Sequence, residues 1–347
     1  MADSPPPTVP ANPSREEEVL PPVEQPSAGF IVQLFVIPGM IVLVIVLLWL
    51  GFSWLAHHGT DPAELVRQMR QNRANSWQLA YNFSEELRQN DLYRKDPALA
   101  EEVARFLDEL LDEPLPPPSG NSLGGTNPRD QEIVRRGFLC RALGEFLVPE
   151  PVLPVLIRAA SSHTGDDDLR VRLAALEAIA LLTENTKTRG EEGNSEILGV
   201  LLASSESDDR KIASRATIGL AAARQPEATA RLVAMLDEPH HVDVHYNAAT
   251  GLARLGRVEG LEMLQEMLDP EADRGLIDES NSSEREVKRL RILLNALRAT
   301  RFLASRNPQA DLTSLQLAIE NLLDQEENSQ IRIEAHKTLQ QLRDSTG

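Results

Sequence analysis

Four ten-residue blocks share one arrangement of apolar and polar positions: VRLAALEAIA (171–180), IASRATIGLA (212–221), VHYNAATGLA (244–253) and IRIEAHKTLQ (331–340). An aliphatic residue opens each block, a small residue follows four positions later, another at seven, and Leu or Ile stands at eight. Spacings of zero, four, seven and eight fall on one face of an α-helix, and the small members let a second helix approach closely. Looser copies occur as RRGFLCRALG (135–144) and RLRILLNALR (289–298), and a degenerate one as NSWQLAYNFS (75–84). From residue 135 onward the block starts lie 36, 41, 32, 45 and 42 residues apart, a period that suits a repeated helix pair.

The partner helix of each pair should precede its block. PALAEEVARFLDELLD (97–112), PEATARLVAMLD (226–237), RVEGLEMLQEMLD (257–269) and LTSLQLAIENLLD (312–324) are amphipathic and end in Leu-Asp. Asp61-Pro62, Asp96-Pro97 and Asn127-Pro128 place a capping side chain before a proline at the first helical position. Ser283 with Glu286 has the spacing of a capping box.

Composition agrees with helices. Aromatic residues make up only 4% of the 347, so aliphatic helix packing is favoured over strands. The formal charge of −18 argues against nucleic acid as a general partner. A single cysteine, Cys140, excludes an internal disulfide and a multi-thiolate metal site; its apolar helical setting predicts a buried, inert thiol.

One stretch breaks the amphipathic pattern. Residues 29–56, GFIVQLFVIPGMIVLVIVLLWLGFSWLA, contain no charge and would form roughly 40 Å of helix at about 1.5 Å per residue, which predicts a single transmembrane helix rather than a cleaved signal. Arg15 precedes it, while Arg67, Arg70 and Arg73 follow, so the positive-inside rule places the C-terminal part in the cytoplasm. The Pro-rich acidic segment 1–28 is expected to be an extended, solvated tail.

The repeat cores, above all LRVRLAALEAIA preceded by Asp166 to Asp168 and DVHYNAATGLARLG with Asp243, resemble bacterial HEAT-repeat proteins of the short HEAT-like type also found in phycobilin lyases. The resemblance covers residues 130–347 well and 60–112 weakly. It implies an α-solenoid of stacked helix pairs, in which the Asp and the Arg of the "VR" pair form a ladder between neighbouring repeats, with Arg172 and Arg332 structural. His245 and Ala213 occupy that Arg position in two repeats, and His245 marks a joint in the stack. The organisation that follows is a tail (1–28), a transmembrane helix (29–56), degenerate N-terminal repeats (60–112), a Pro/Gly-rich linker (113–129) and the main array (130–347).

Candidate chemistry is sparse. His240, His241, Asp243 and His245 cluster in HHVDVH, and His241 with His245 have the four-residue spacing of a helical metal pair, but Asp243 would point away from both. They are candidate ligands only for an alternative reading, a metal-dependent enzyme on the same fold. No cofactor, no catalytic residue and no small-molecule substrate is predicted; SGNSLGGTNPRD (119–130) lacks the lysine of a P-loop. The helix EREVKRLRILLNALRATRFLASR (284–306) gathers Arg285, Lys288, Arg289, Arg291, Arg298 and Arg301 in an acidic protein, a candidate docking patch for an acidic partner or anionic headgroups. The long loop 269–283 before it is the kind of insertion that lies on a binding face. The expected function is a membrane-anchored, non-catalytic scaffold for protein partners, themselves membrane-associated.

Overall fold

The computed structural model describes residues 37–57, 62–71, 76–117, 127–161, 169–186 and 194–346, with isolated positions 29, 33 and 36. Segment 1–28, linker residues 118–126, Asp61, Asp166 to Asp168, His58 and His163 lie outside the described residues. The chain divides into two compact units, residues 1–59 and 60–347.

The first unit contains α1 (Ile37–His57). Here the expectation of a transmembrane anchor is corrected: among the described residues, no helix is long and apolar enough to cross a membrane. The single-pass localisation and the orientation drawn from the flanking arginines fall with the span.

All-α architecture holds throughout the described residues of the second unit. In chain order its helices are α2 (Pro62–Gln71), α3 (Ser76–Gln89), the short α4 (Asp91–Arg94), α5 (Pro97–Asp112), α6 (Pro128–Glu145), α7 (Leu153–Ser161) and α8 (Leu169–Asn185). There follow α9 (Ser195–Ser205), α10 (Arg210–Ala223), α11 (Pro226–Asp237), α12 (Val242–Arg254), α13 (Leu261–Leu268), α14 (Ser282–Arg306), α15 (Thr313–Gln325) and α16 (Ser329–Thr346), with a 3-10 turn at Arg274–Leu276.

These helices pack as seven pairs in two rows. Each of α3, α6, α8, α10, α12, α14 and α16 packs on the helix of the other row that comes before it, and on its neighbours in its own row. The opposite row runs α2, α5, α7, α9, α11 and, after a break, α13 and α15. Every sequence block therefore lies on a helix of one row, here called the second row. The four clear blocks bury all their register positions, for example Val171, Ala175, Ala178 and Ile179, or Ile331, Ala335, Thr338 and Leu339. The degenerate block is out by one residue: Ser76, Ala80, Phe83 and Ser84 are the buried set, so its register starts at 76 rather than 75.

Small residues set the spacing within the second row. A Cβ added at Gly144 would lie 2.7 Å from the Ala178 Cα, and one at Gly251 would lie 2.8 Å from the Ala221 Cβ. Helices this close gain dispersion contacts along their whole length, and a single pair cannot bury its apolar face alone.

The helix ends follow the capping signals in part. Asp96 accepts from the Ala98 and Leu99 amides, and Asn127 from Arg129. At α14 the cap is Asn281, which accepts from the Glu284 amide at 2.9 Å, so the helix starts before the Ser283 box. The helix expected over 257–269 starts only at Leu261, because Gly256 turns the chain with φ +79.

The implied ladder takes a different form. Arg172 Nε donates to the Ala160 carbonyl at 3.2 Å, Arg332 Nη1 to the Glu326 carbonyl at 2.9 Å, and Arg136 Nη2 to the Glu113 carbonyl at 2.9 Å. All three reach back within their own pair to carbonyls at the C-terminus of the preceding helix, where orphan acceptors and the negative dipole end favour a cation. His245 Nε2 meets the Glu238 carbonyl in the same way at 2.9 Å. Contact between repeats is made instead by Asp243, 3.8 Å from Arg210 of α10 and 3.2 Å from Lys288 of α14.

His245 does stand at a joint. The buried apolar residues form two clusters that meet on α12: Val244, Ala248 and Leu252 belong to one, Tyr246, Ala249 and Ala253 to the other. The break in the first row, between α11 and α13, lies beside it.

Candidate functional site

α14 is the longest helix among the described residues and the most basic. Its apolar face, with Leu293, Ala296, Leu297, Thr300, Leu303 and Ala304, is buried against α12, α13 and α16. The opposite face carries Arg291, Asn295, Arg298 and Phe302, all exposed, at spacings of zero, four, seven and eleven that align them in one stripe.

The six cations predicted as one patch separate into two groups. Lys288 sits 3.2 Å from Asp243 and 3.0 Å from Glu279, with only 13% of its side chain exposed. Arg289 pairs at 2.8 Å with the buried Glu326, and Arg301 at 2.6 Å with Glu334. Lys337 and Arg301 together hold the Glu334 carboxyl down at about 2. Arg285 Nε donates to the Glu279 carbonyl at 3.1 Å. Arg291 and Arg298 make no ion pair among the described residues and project from the stripe. Phe302, 44% exposed, continues it, with the Arg254 guanidinium carbon 5.9 Å from its ring centroid.

Loop 269–283 is folded onto the stack rather than extended from it. Arg274 Nη1 bonds Glu266 at 3.1 Å, Asp278 pairs with Arg210, and Glu279 pairs with Lys288. Its acids thus neutralise cations at the N-terminal ends of α10 and α14.

The histidines do not converge. His245 is buried and uses both ring nitrogens, Nε2 on the Glu238 carbonyl and Nδ1 on Arg274 Nη2 at 3.0 Å. His240 Nε2 bonds Glu238 at 2.8 Å, while His241 is exposed at the start of α12, 3.9 Å from Asp278. Among the described residues no group of three or more His, Cys, Asp or Glu is placed to hold a metal ion. Cys140 is buried, and burial pushes its thiol up to about 12.

A cleft of about 320 Å³ opens between α7, α8 and α9, with Arg172 and Glu196 as its charged members. Arg172 is already engaged by the Ala160 carbonyl.

Sequence reading missed a feature of the whole stack. Over the helix ranges above, the second row carries a net +9 and the first row a net −8, within a chain of −18. α14 contributes +5 and α10 +3 to the former; α5 contributes −4, and α13 and α15 −2 each, to the latter. A count of charge by helix, made once the repeat register was in place, would have found it.

No protein-family model matches the chain. No curated protein matches it either. Among solved structures, the crystal structure of an engineered protein aligns over 82% of this chain and 98% of that one, at 15% identity and a TM-score of 0.33. A likeness of that size carries no argument about fold or function.

Proposed function

We propose that the chain is a non-catalytic helical-repeat protein of HEAT-like type that holds protein partners on the exposed face of its second row. The observation that carries this reading is the pairing itself: seven helix pairs in one stack, with the same four-position register buried in each clear repeat. Such a stack uses its small and aliphatic residues for packing and leaves a continuous helical surface for binding. The polar groups that sequence alone marked for chemistry are engaged in holding helix ends and joining repeats, which supports binding over catalysis.

Cross-linking of the full chain to partners in its native extract, followed by mapping of the linked residues, tests the proposal. Linked sites should fall on α8, α10, α12, α14 and α16. Cross-links confined to first-row helices, or none to any protein, would refute it.

A further inference from the structure

We propose that the α14 stripe, with Arg254 beside it, docks an extended acidic segment of a partner protein. Two carboxylates of that segment, three residues apart, meet Arg291 and Arg298, and an apolar side chain two residues farther along lies on Phe302. This rests on the partner-binding reading above and names its partner's chemistry.

The geometry supplies the spacing. Arg291 and Arg298 are seven residues apart on one helical face, about 10 Å at ~1.5 Å per residue, and an extended chain of polyproline-II type covers that distance in three residues of ~3.1 Å, one turn, which returns the two carboxylates to the same face. From Arg298 to Phe302 is about 6 Å, or roughly two further residues.

Charge decides the occupant. Lys288, Arg289 and Arg301 on the same helix are all paired with acids across the stack, whereas Arg291 and Arg298 make no ion pair among the described residues. The rest of the chain is acidic, so a carboxylate-bearing segment is repelled elsewhere and drawn to this row. Phe302 adds an apolar platform, with the Arg254 guanidinium next to it. A nucleic-acid duplex fits less well. It presents a phosphate charge about every 1.7 Å along its axis, whereas Arg291 and Arg298 stand about 10 Å apart along the helix.

The test is fluorescence anisotropy of the full chain with a labelled hexapeptide, Asp-Ser-Ser-Asp-Ser-Leu, and its reversed sequence, at low salt. One of the two should bind. The double variant R291E/R298E should weaken that binding roughly tenfold or more, and F302S roughly threefold, because a charge pair and an apolar contact are lost. R105Q, on α5, should leave it unchanged. The proposal is overturned if neither peptide binds, if Asn-for-Asp peptides bind as well, if R291E/R298E binds like the parent, or if duplex DNA binds more tightly than both peptides. It is also overturned if E16Q/E17Q/E18Q tightens peptide binding, since the chain's own acidic run would then be the occupant. Second-row cross-links that persist while peptide binding fails would remove this site alone; their absence in the unaltered chain would remove the reading beneath it.

Discussion

The Nδ1 of His245 accepts a hydrogen bond from Arg274 Nη2 at 3.0 Å, while its Nε2 donates to the Glu238 carbonyl at 2.9 Å. A guanidinium can only donate and a carbonyl can only accept, so the two bonds fix the ring's tautomer. His245 thereby ties the end of α11 to the inserted turn. His245→Ala should cost about 1–3 kcal/mol, measured by urea unfolding, because it leaves buried polar partners unmade. His245→Arg, although it restores the residue of the related repeats, should also destabilise the fold by setting two guanidiniums together. Combining it with Arg274→Ala should recover most of that loss; additivity of the two changes would count against this account.

Two helical glycines should respond oppositely to Ala. At Gly144 a Cβ would sit 2.7 Å from the Ala178 backbone, so Gly144→Ala should destabilise by roughly 1–3 kcal/mol despite better helix propensity. At Gly199 nothing lies within 4 Å, and Gly199→Ala should stabilise by about 0.5–1 kcal/mol. Denaturant midpoints of the two variants check both signs.

Arg135 occupies the register position held by Val or Ile in the four clear repeats, is fully buried, and pairs with Glu132 at 2.5 Å. Its Nε has no hydrogen-bond partner among the described residues. Replacing the arginine with Met should be neutral or stabilising by up to ~3 kcal/mol, whereas Glu132→Gln, which strands the cation, should cost about 3 kcal/mol or more. Thermal unfolding that ranks Arg135→Met below Glu132→Gln would contradict this.

Glu334 gains stability from its charge. Lys337 and Arg301 lower its carboxyl from an ordinary 4.5 to about 2, so the contribution is fully present above 4.5 and disappears as pH falls through about 2. The melting temperature of Glu334→Gln should therefore lie below that of the parent at pH 6, and the gap should close progressively between pH 4.5 and 2.

Cys140 should resist thiol reagents. Buried, with its thiol raised to about 12, it offers almost no thiolate at pH 8. Disulfide-forming reagents should label it only in denaturant; rapid labelling of the native chain would place it at the surface.

Some features were legible from the chain alone because they depend on residues close in sequence. The 0, 4, 7, 8 register of the repeats is a matter of helix geometry, and it located six of the seven second-row helices in register and the seventh to within one residue. The Asp96 and Asn127 caps reach amides two or three residues on, and both occur. Cys140, set in an apolar helical run, is buried.

Residues that act across the stack were not legible in this way. The basic run of α14 looks uniform in sequence, yet Asp243, Glu326 and Glu334 draw Lys288, Arg289 and Arg301 inward and leave Arg291 and Arg298 outside. The apolar stretch 29–56 was read as a span from its composition, and among the described residues no helix is long and apolar enough to cross a membrane.

Sequence by itself determined the second-row helices, their repeat period and the buried face of each, since those follow from spacings within a few turns. Tertiary structure decided which polar groups are consumed. His245 goes to a helix end and a loop arginine, Arg172 and Arg332 to carbonyls of their own pairs, and three cations of α14 to acids 33 to 45 residues distant in sequence. Those partners meet only because packing brings separate repeats together, and the charges left over on the second row are what packing did not use.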